Sequence, residues 1–589
     1  MADTYKIFPA IGVARVGNSP EYYLAPETTG GLPSGTFPDD FRDANQLMKR
    51  QGVKFRVYCY PEAGGDPYEV IPGANGVASI EWTVHLANKK SVWYKFAPSK
   101  GEGTYPPPEL DENGDSNLRN PDVTDPAQRA AQFITDPGPR TLTGANQTAE
   151  FSRTSTRPDG NPMTFPPTTL SPNQIDSLGE IHTDDMGQLI VVGGYGNSGT
   201  DQTYPPTNDI DYVNNNNWWD DTSDGPVSAT VIFSDGVTPS VEAATAWVAV
   251  TPPRFAPEIV PQITMYDVIF DVAVRNFPNY RPDIYNNGEY QTTYQTHPES
   301  EVQRILDRAY PYGGVSSDVM QHKFTYGDTL SDNLYGLMRS PDQDNEIGSG
   351  PAFMPMLAGD GSADSVRGTD KESKYVTFTA TQMFFATQYN QGITTTTEPL
   401  ETVPDGLTRA ALENCSGAAF APGIEMTWFA RRPEIYAEPL RLKKRNYGYP
   451  LSVDATPLAE GLEPGDFTKF MAIPWQADFN ECAVQHELQN INTNYVNWWP
   501  AQRPLQVNRN GSNNVPWIGV DNGGSETNTH LRFEFNTNMV DDWHELGFVL
   551  NMGTAESPDY VEVQRTLEDG ANESGRPSKP NPKVRSRRR

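Results

Sequence analysis

Cysteine is nearly absent from this chain: there are three in 589 residues, Cys59, Cys415 and Cys482. So sparse and odd a set does not make a disulfide framework. With no CxxC pair and no His/Cys cluster it offers no zinc site either, and no metal is expected. The seven histidines, His85, His182, His297, His322, His486, His530 and His544, show no ligand spacing. Hydrophobic residues are also scarce, at 36 %. No apolar run approaches the ~18 residues that span a bilayer, so no membrane partner is expected. The opening Met1-Ala2-Asp3-Thr4-Tyr5-Lys6 lacks the basic and then apolar pattern of a secretory signal. The expectation is a protein that is cytoplasmic or exported without a Sec signal. Basic residues are few, with 45 Lys and Arg against 76 Asp and Glu and a net charge of −31. Such a surface repels phosphate backbones, which argues against nucleic acid, and attracts cations such as diamines or lysine. Solubility alone is the plainer reason for the charge. P-loop, GxGxxG, GxSxG and HExxH motifs are all missing, and carboxylate pairs are too many to mark a glycosidase dyad.

Aromatic residues, by contrast, are plentiful, with 11 Trp, 27 Tyr and 25 Phe, so a core can be assembled from rings. The 49 Gly and 52 Pro favour many short strands joined by ordered loops. A chain of this length exceeds a single core. The expected fold is mainly β with helical insertions, an α+β arrangement in one or two intimately packed domains. A boundary is placed near residue 290. Residues 1–290 form a β-rich part and 291–565 a second part, while 566–589 form a basic tail too poor in apolar groups to fold. Strands are expected at 55–60, 80–86, 189–194, 227–233 and 547–550, and helices at 264–276, 300–308, 379–390 and 407–414. Residues 100–175, rich in Pro, Asp, Asn and Thr, suggest a long surface excursion. Within it, Asp111-Glu112-Asn113-Gly114-Asp115 reads as a turn, since calcium-loop spacing is wrong. Asn214 to Asn217, with Trp218-Trp219-Asp220-Asp221-Thr222-Ser223-Asp224-Gly225-Pro226, has the composition of a loop, yet carries two tryptophans.

Several segments carry more information. They are Pro474-Trp475-Gln476-Ala477-Asp478-Phe479-Asn480-Glu481-Cys482, then Asn497-Trp498-Trp499-Pro500, and then Asp541-Asp542-Trp543-His544-Glu545-Leu546-Gly547-Phe548. With them go Phe8-Pro9-Ala10-Ile11-Gly12-Val13-Ala14-Arg15-Val16-Gly17, Trp82-Thr83-Val84-His85-Leu86-Ala87-Asn88-Lys89-Lys90, Asp220-Asp221-Thr222-Ser223-Asp224-Gly225-Pro226-Val227 and Leu412-Glu413-Asn414-Cys415-Ser416-Gly417. Taken in this order, from about residue 5 to residue 550, the chain resembles the lysine 6-oxidase and glycine oxidase family. The cofactor of that family is cysteine tryptophylquinone.

The resemblance implies that Cys482 and Trp543 are the cross-linked, cofactor-forming pair and that Asp478 assists cofactor formation. The chemistry is consistent with this: a thiolate is a strong nucleophile, and a carboxylate four residues away can reach it across a helical turn and accept a proton. The resemblance also places Cys415 beside the cofactor, as in lysine oxidases, and Trp219 in the pocket lining. The implied reaction condenses a primary amine or amino acid with a quinone carbonyl and removes the α-proton. Asp478 is the leading base and His544 a second candidate. Aldehyde or oxo acid and ammonia are then released, and O2 reoxidises the ring to give hydrogen peroxide. A flavoprotein maturation partner and a homo-oligomer are implied too. One departure concerns substrate: the lysine oxidase pattern has a Lys between the cross-linking cysteine and the Trp-Trp segment, whereas residues 483–497 hold no Lys or Arg. The alternative is a non-catalytic relative with unlinked Cys482 and Trp543 that acts as a binding or interaction protein.

Overall fold

The structure is a computed structural model that describes residues 3–33, 41–94, 118–206, 215–315, 330–341, 354, 377–417, 428–454, 457–479, 502–504, 506–509, 511–518, 538–554 and 557–567. Cys482, the Trp498-Trp499 pair, the turn at Asp111 and the tail from residue 568 lie outside the described residues.

A 13-stranded sheet organises the first half of the chain. Its main path runs Arg140–Thr143, Val77–Val84, Ser223–Phe233, Ala246–Thr251, Ile11–Arg15, Arg50–Tyr60, Leu189–Val192, Ser177–Thr183 and Thr148–Ser152. Pairing is antiparallel along this path except between Ala246–Thr251 and Ile11–Arg15, which run parallel. The two ends of the path are successive in the chain, separated only by residues 144–147. Laid flat, nine strands about 4.8 Å apart would separate those ends by roughly 38 Å. A four-residue link spans at most about 18 Å. The sheet therefore curls until its edges approach each other, and Arg140 Nε donates to the carbonyl of Glu150 at 2.7 Å.

Alternation along the strands sorts side chains onto the two faces. Val53, Phe55, Val57, Ile80, Trp82, Val84, Phe151, Ile181, Val191, Val231, Val248 and Val250 share one apolar cluster, which continues into Trp475, Phe479, Trp543 and Phe548. Ile11, Val13, Trp247 and Ala249 point the other way, onto Met265, Ile269 and Val272 of the helix Met265–Asn276 and onto Leu412 and Cys415. That helix opens with a capping box between Thr264 and Asp267, and Ala380–Asn390 opens with another between Thr379 and Gln382.

Some expectations need correction. Residues 118–175 are no surface excursion: they contribute the helix Pro126–Phe133, two strands of the large sheet, and buried Arg119, Arg129 and Asp136. The supposed loop at Trp218 is a strand, Trp218–Asp220, paired with Ser198–Thr200, and both tryptophans are buried. The helix expected at 300–308 is a π-helical turn, Pro298–Gln303, followed by Arg304–Asp307, and the one expected at 407 begins at Val403. Among the described residues, no helix is long and apolar enough to cross a membrane.

Candidate active site

Trp543 begins a short turn, Trp543–Glu545, that follows the helix Asn538–Asp542, and it is 2 % exposed. Three elements enclose its indole. The ring of Trp475 meets it edge to face with centroids 5.1 Å apart. His544 flanks it at 5.6 Å. On another side comes the backbone of Gly196, so close that a Cβ there would stand 2.2 Å from Cζ2 and 2.6 Å from Cη2 of the six-membered ring. Only glycine permits that approach, and its φ of +76° suits glycine as well.

Trp475 lies at the start of a helical turn that continues through Asp478 and Phe479 toward Cys482. Aromatic edges brace the turn: Phe479 packs on Trp475 at 5.4 Å and on Phe255 at 5.9 Å. Its polar anchors are Asp220 and Gln476. The Trp475 N–H donates to Asp220 Oδ2 at 3.0 Å. Gln476 accepts from the Ser198 hydroxyl at 2.7 Å and donates to the Gly196 carbonyl at 3.2 Å. The turn with Asp478 and the loop facing Trp543 are thus bonded to each other.

Asp478 is 1 % exposed, and two buried cations feel its charge. Lys90 donates to Asp220 Oδ2 at 2.7 Å and to the Ala472 carbonyl at 2.8 Å. Arg119 donates to the Lys90 carbonyl at 2.7 Å. Burial pushes the Lys90 ammonium down from its ordinary value and the Arg119 guanidinium down to about 9, while Asp220 and Asp478 oppose both shifts. Two carboxylates balance two cations in a place with little water, as buried charge requires. Asp220 is the hub: Asn88 and Thr222 also donate to its Oδ1, at 2.8 and 2.7 Å. Lys90→Met leaves Asp220 with an uncompensated charge and should cost about 3–5 kcal/mol. Denaturant unfolding would measure this, and a loss within error of zero would show that the pair is not a structural support.

Asp221, next in sequence, is fully buried and holds the other side of the same loop. Its Oδ2 accepts from the N–H groups of Tyr195 at 2.7 Å and Asn197 at 3.0 Å. Burial, with the charge of Asp220 adding to it, pushes its carboxyl up from 3.8 to about 7. The folded state then holds a proton that the unfolded chain releases near pH 4, so Asp221 contributes less stability as pH rises from about 4 to about 7. Asp221→Asn removes this titration. The melting temperature of the variant, relative to the parent, should climb between pH 5 and 7 and level off above; a difference that stays flat over that range would contradict the assignment.

Not every expected site residue converges here. Trp543 and His544 meet, and Asp478 lies on the turn whose Trp475 packs against Trp543. Trp219 stacks on Phe133 at 6.0 Å, within a cluster that includes Ala87, Val92 and Leu170. Its neighbour Trp218 faces Ile473, Ala477 and Val540, which flank Asp478 and precede Trp543. In a strand successive side chains face opposite ways, so reading 218–220 as a strand would have separated the two tryptophans. Cys415 is buried in the helix-side cluster, with Sγ donating to the Ala411 carbonyl at 3.6 Å and Arg15 Nη2 3.9 Å from Sγ. Sequence reasoning did not single out Lys90, Gly196, Asp220, Asp221, Trp475 or Gln476 as site residues. Elsewhere, a cleft of about 400 Å³ is lined by Thr83, His85, Arg157, Lys444, Tyr447 and Tyr449, among others, and holds none of the residues around Trp543.

The sequence matches the family description "L-Lysine epsilon oxidase N-terminal" over residues 8–250 and "L-lysine epsilon oxidase C-terminal domain" over residues 356–500. It is 33 % identical to the L-lysine 6-oxidase of Marinomonas mediterranea, over 81 % of this chain and 71 % of that protein. The chain belongs to the L-lysine ε-oxidase family. Its fold agrees: the crystal structure of the L-Lys ε-oxidase from the same organism superposes with a TM-score of 0.78 at 27 % identity, covering 96 % of this chain and 95 % of the other. A second structure of that enzyme, described as its Schiff base intermediate with L-Lys, gives a TM-score of 0.77 at 26 % identity and the same coverage. As a member of this family the chain is an amine oxidase, and the comparisons lend no support to a non-catalytic binding protein. The family uses a quinone derived from the protein itself.

Proposed function

We propose that this oxidase works through a cysteine tryptophylquinone made from Cys482 and Trp543, and that it deaminates the primary amine of an amino acid, L-lysine being the first to test. The carrying observation is the seat of Trp543. In a tryptophan, whose indole C3 carries the side chain, two adjacent ring carbonyls have room only on the six-membered ring. That ring is enclosed, faces a residue without a side chain, and lies against the turn that bears Asp478. The surroundings fit the group. The relative's Schiff base with L-Lys supports the reading as well, because an amine forms a Schiff base only with an aldehyde or ketone carbonyl, which no ordinary side chain carries.

When formed, the quinone supplies an electrophilic carbonyl and accepts two electrons, which O2 removes as hydrogen peroxide. The chain's own residues do the rest. Asp478 accepts the proton from the carbon beside the amine nitrogen. Lys90, Arg119 and Asp220 keep that carboxylate in a charge-balanced pocket, and Trp475 and Phe479 exclude bulk water. The −31 net charge draws a cationic amine toward the protein. A flavoprotein maturation partner and a homo-oligomeric assembly belong to the same reading.

Protein matured in its natural host, or beside such a flavoprotein, should release peroxide with L-lysine and more slowly or not at all with glycine. Quinone-bearing protein that releases no peroxide with any amino acid or amine would overturn the substrate assignment. A preference for glycine would move the chain to the other branch of the resemblance.

A further inference from the structure

Gly196 is held from both sides. Asp221 gathers the N–H groups of Tyr195 and Asn197, and the Asp221 N–H returns a bond to the Asn197 carbonyl at 3.1 Å. From the opposite direction Gln476, on the Asp478 turn, holds the Gly196 carbonyl. Gly194 is equally confined, since a Cβ there would stand 2.8 Å from the Asp221 carboxyl carbon. The Asp221 Oδ1 atom is buried and without a hydrogen-bond partner among the described residues. A buried carboxyl with a bare oxygen is costly, and a loop could be closed without one. The loop so clamped does one visible thing: it presses the Gly196 backbone onto Cζ2 and Cη2 of Trp543.

We propose that Asp221, acting through Gly196 and opposed by Gln476, is the positioning residue that fixes the six-membered ring of Trp543 for its conversion to the quinone. The inference rests on the quinone reading above. Asp221 does not touch the reacting atoms in this account. It sets the place of a backbone segment, and that segment sets the ring. Without the clamp the indole can tilt, and Cζ2 and Cη2, the adjacent carbons that must take up oxygen, lose their fixed place.

The test uses full-length protein produced with its maturation partner, in four forms: parent, Asp221→Ala, Asp221→Asn and Gln476→Met. Each is digested, and the peptide bearing Trp543 is weighed for the link to Cys482 and for added ring oxygens. Absorption spectra and melting temperatures are recorded alongside. Asp221→Ala should cut the fully linked and oxygenated peptide at least tenfold, leaving partly oxygenated forms and a shifted absorption maximum. Asp221→Asn, which keeps an acceptor oxygen, should restore most of it. Gln476→Met releases Gly196 from the other side and should give the same partial products, which keeps the test decisive if Asp221→Ala does not fold. Full oxygenation and an unshifted spectrum in folded Asp221→Ala or Gln476→Met would overturn the proposal. An unlinked, unoxygenated Trp543 in the parent would overturn the quinone reading itself, and the two failures are thereby told apart.

Discussion

Trp543→Phe is expected to give a folded protein with no quinone absorption and no amine-dependent peroxide. The indole is enclosed by Trp475, His544 and the Gly196 backbone, so a phenyl ring occupies part of the same space without forcing the walls apart. Losing the larger ring leaves a cavity and costs on the order of 1–3 kcal/mol, a tolerable fraction of domain stability. Chemistry, by contrast, is lost entirely: the substituted ring offers no route to the same quinone. The check is a peroxide assay and a spectrum on protein whose circular dichroism matches the parent. Residual turnover above one part in a thousand would mean that another group carries the oxidation.

Asp478→Asn should lower kcat by about 10²–10⁴, with a much smaller change in KM. That is the usual contribution of a positioned general base. The substitution preserves shape at a buried position. It removes the proton acceptor and one of the two negative charges that hold Lys90 and Arg119 against burial. Because the resemblance also gives Asp478 a part in making the cofactor, rates must be expressed per quinone, counted by titration with a hydrazine. A variant with parental turnover per quinone would exclude Asp478 as the base and turn attention to His544, a titratable side chain beside the ring.

Much of this architecture could be read from local signals. Thr264 and Thr379 announce their helices because a threonine hydroxyl satisfies a free N–H three residues on, a relation contained within one turn. The helix expected from Leu407 starts instead at Val403, because proline is well tolerated in a first turn and Pro404 does not break it. Closure of the large sheet was not legible, since it depends on pairing between segments far apart in the chain. The same holds for Asp220, Asp221 and Asp224. Three carboxylates in five residues have the composition of an exposed loop, yet all three are fully buried. Their compensation is distant: Lys90 for Asp220, the 195–197 backbone for Asp221, and Trp247, Phe467 and Thr468 for Asp224. Burial pushes Asp224 up to about 6 in spite of those donors. No window of sequence contains such partners. The strand Trp218–Asp220 is hidden for the same reason, because its own composition is that of a loop.

The candidate pair itself came from resemblance, and the fold adds what resemblance could not: the closed seat of Trp543 and its connection, through Gln476 and Asp220, to the turn that leads to Cys482. The central claim is that Trp543 is the redox group. Its most direct test is mass analysis of intact protein and tryptic peptides from the native source. The account predicts one cross-linked species that joins the peptides of Cys482 and Trp543 and carries two added ring oxygens. Separate, unmodified peptides from protein that still oxidises amines would contradict it.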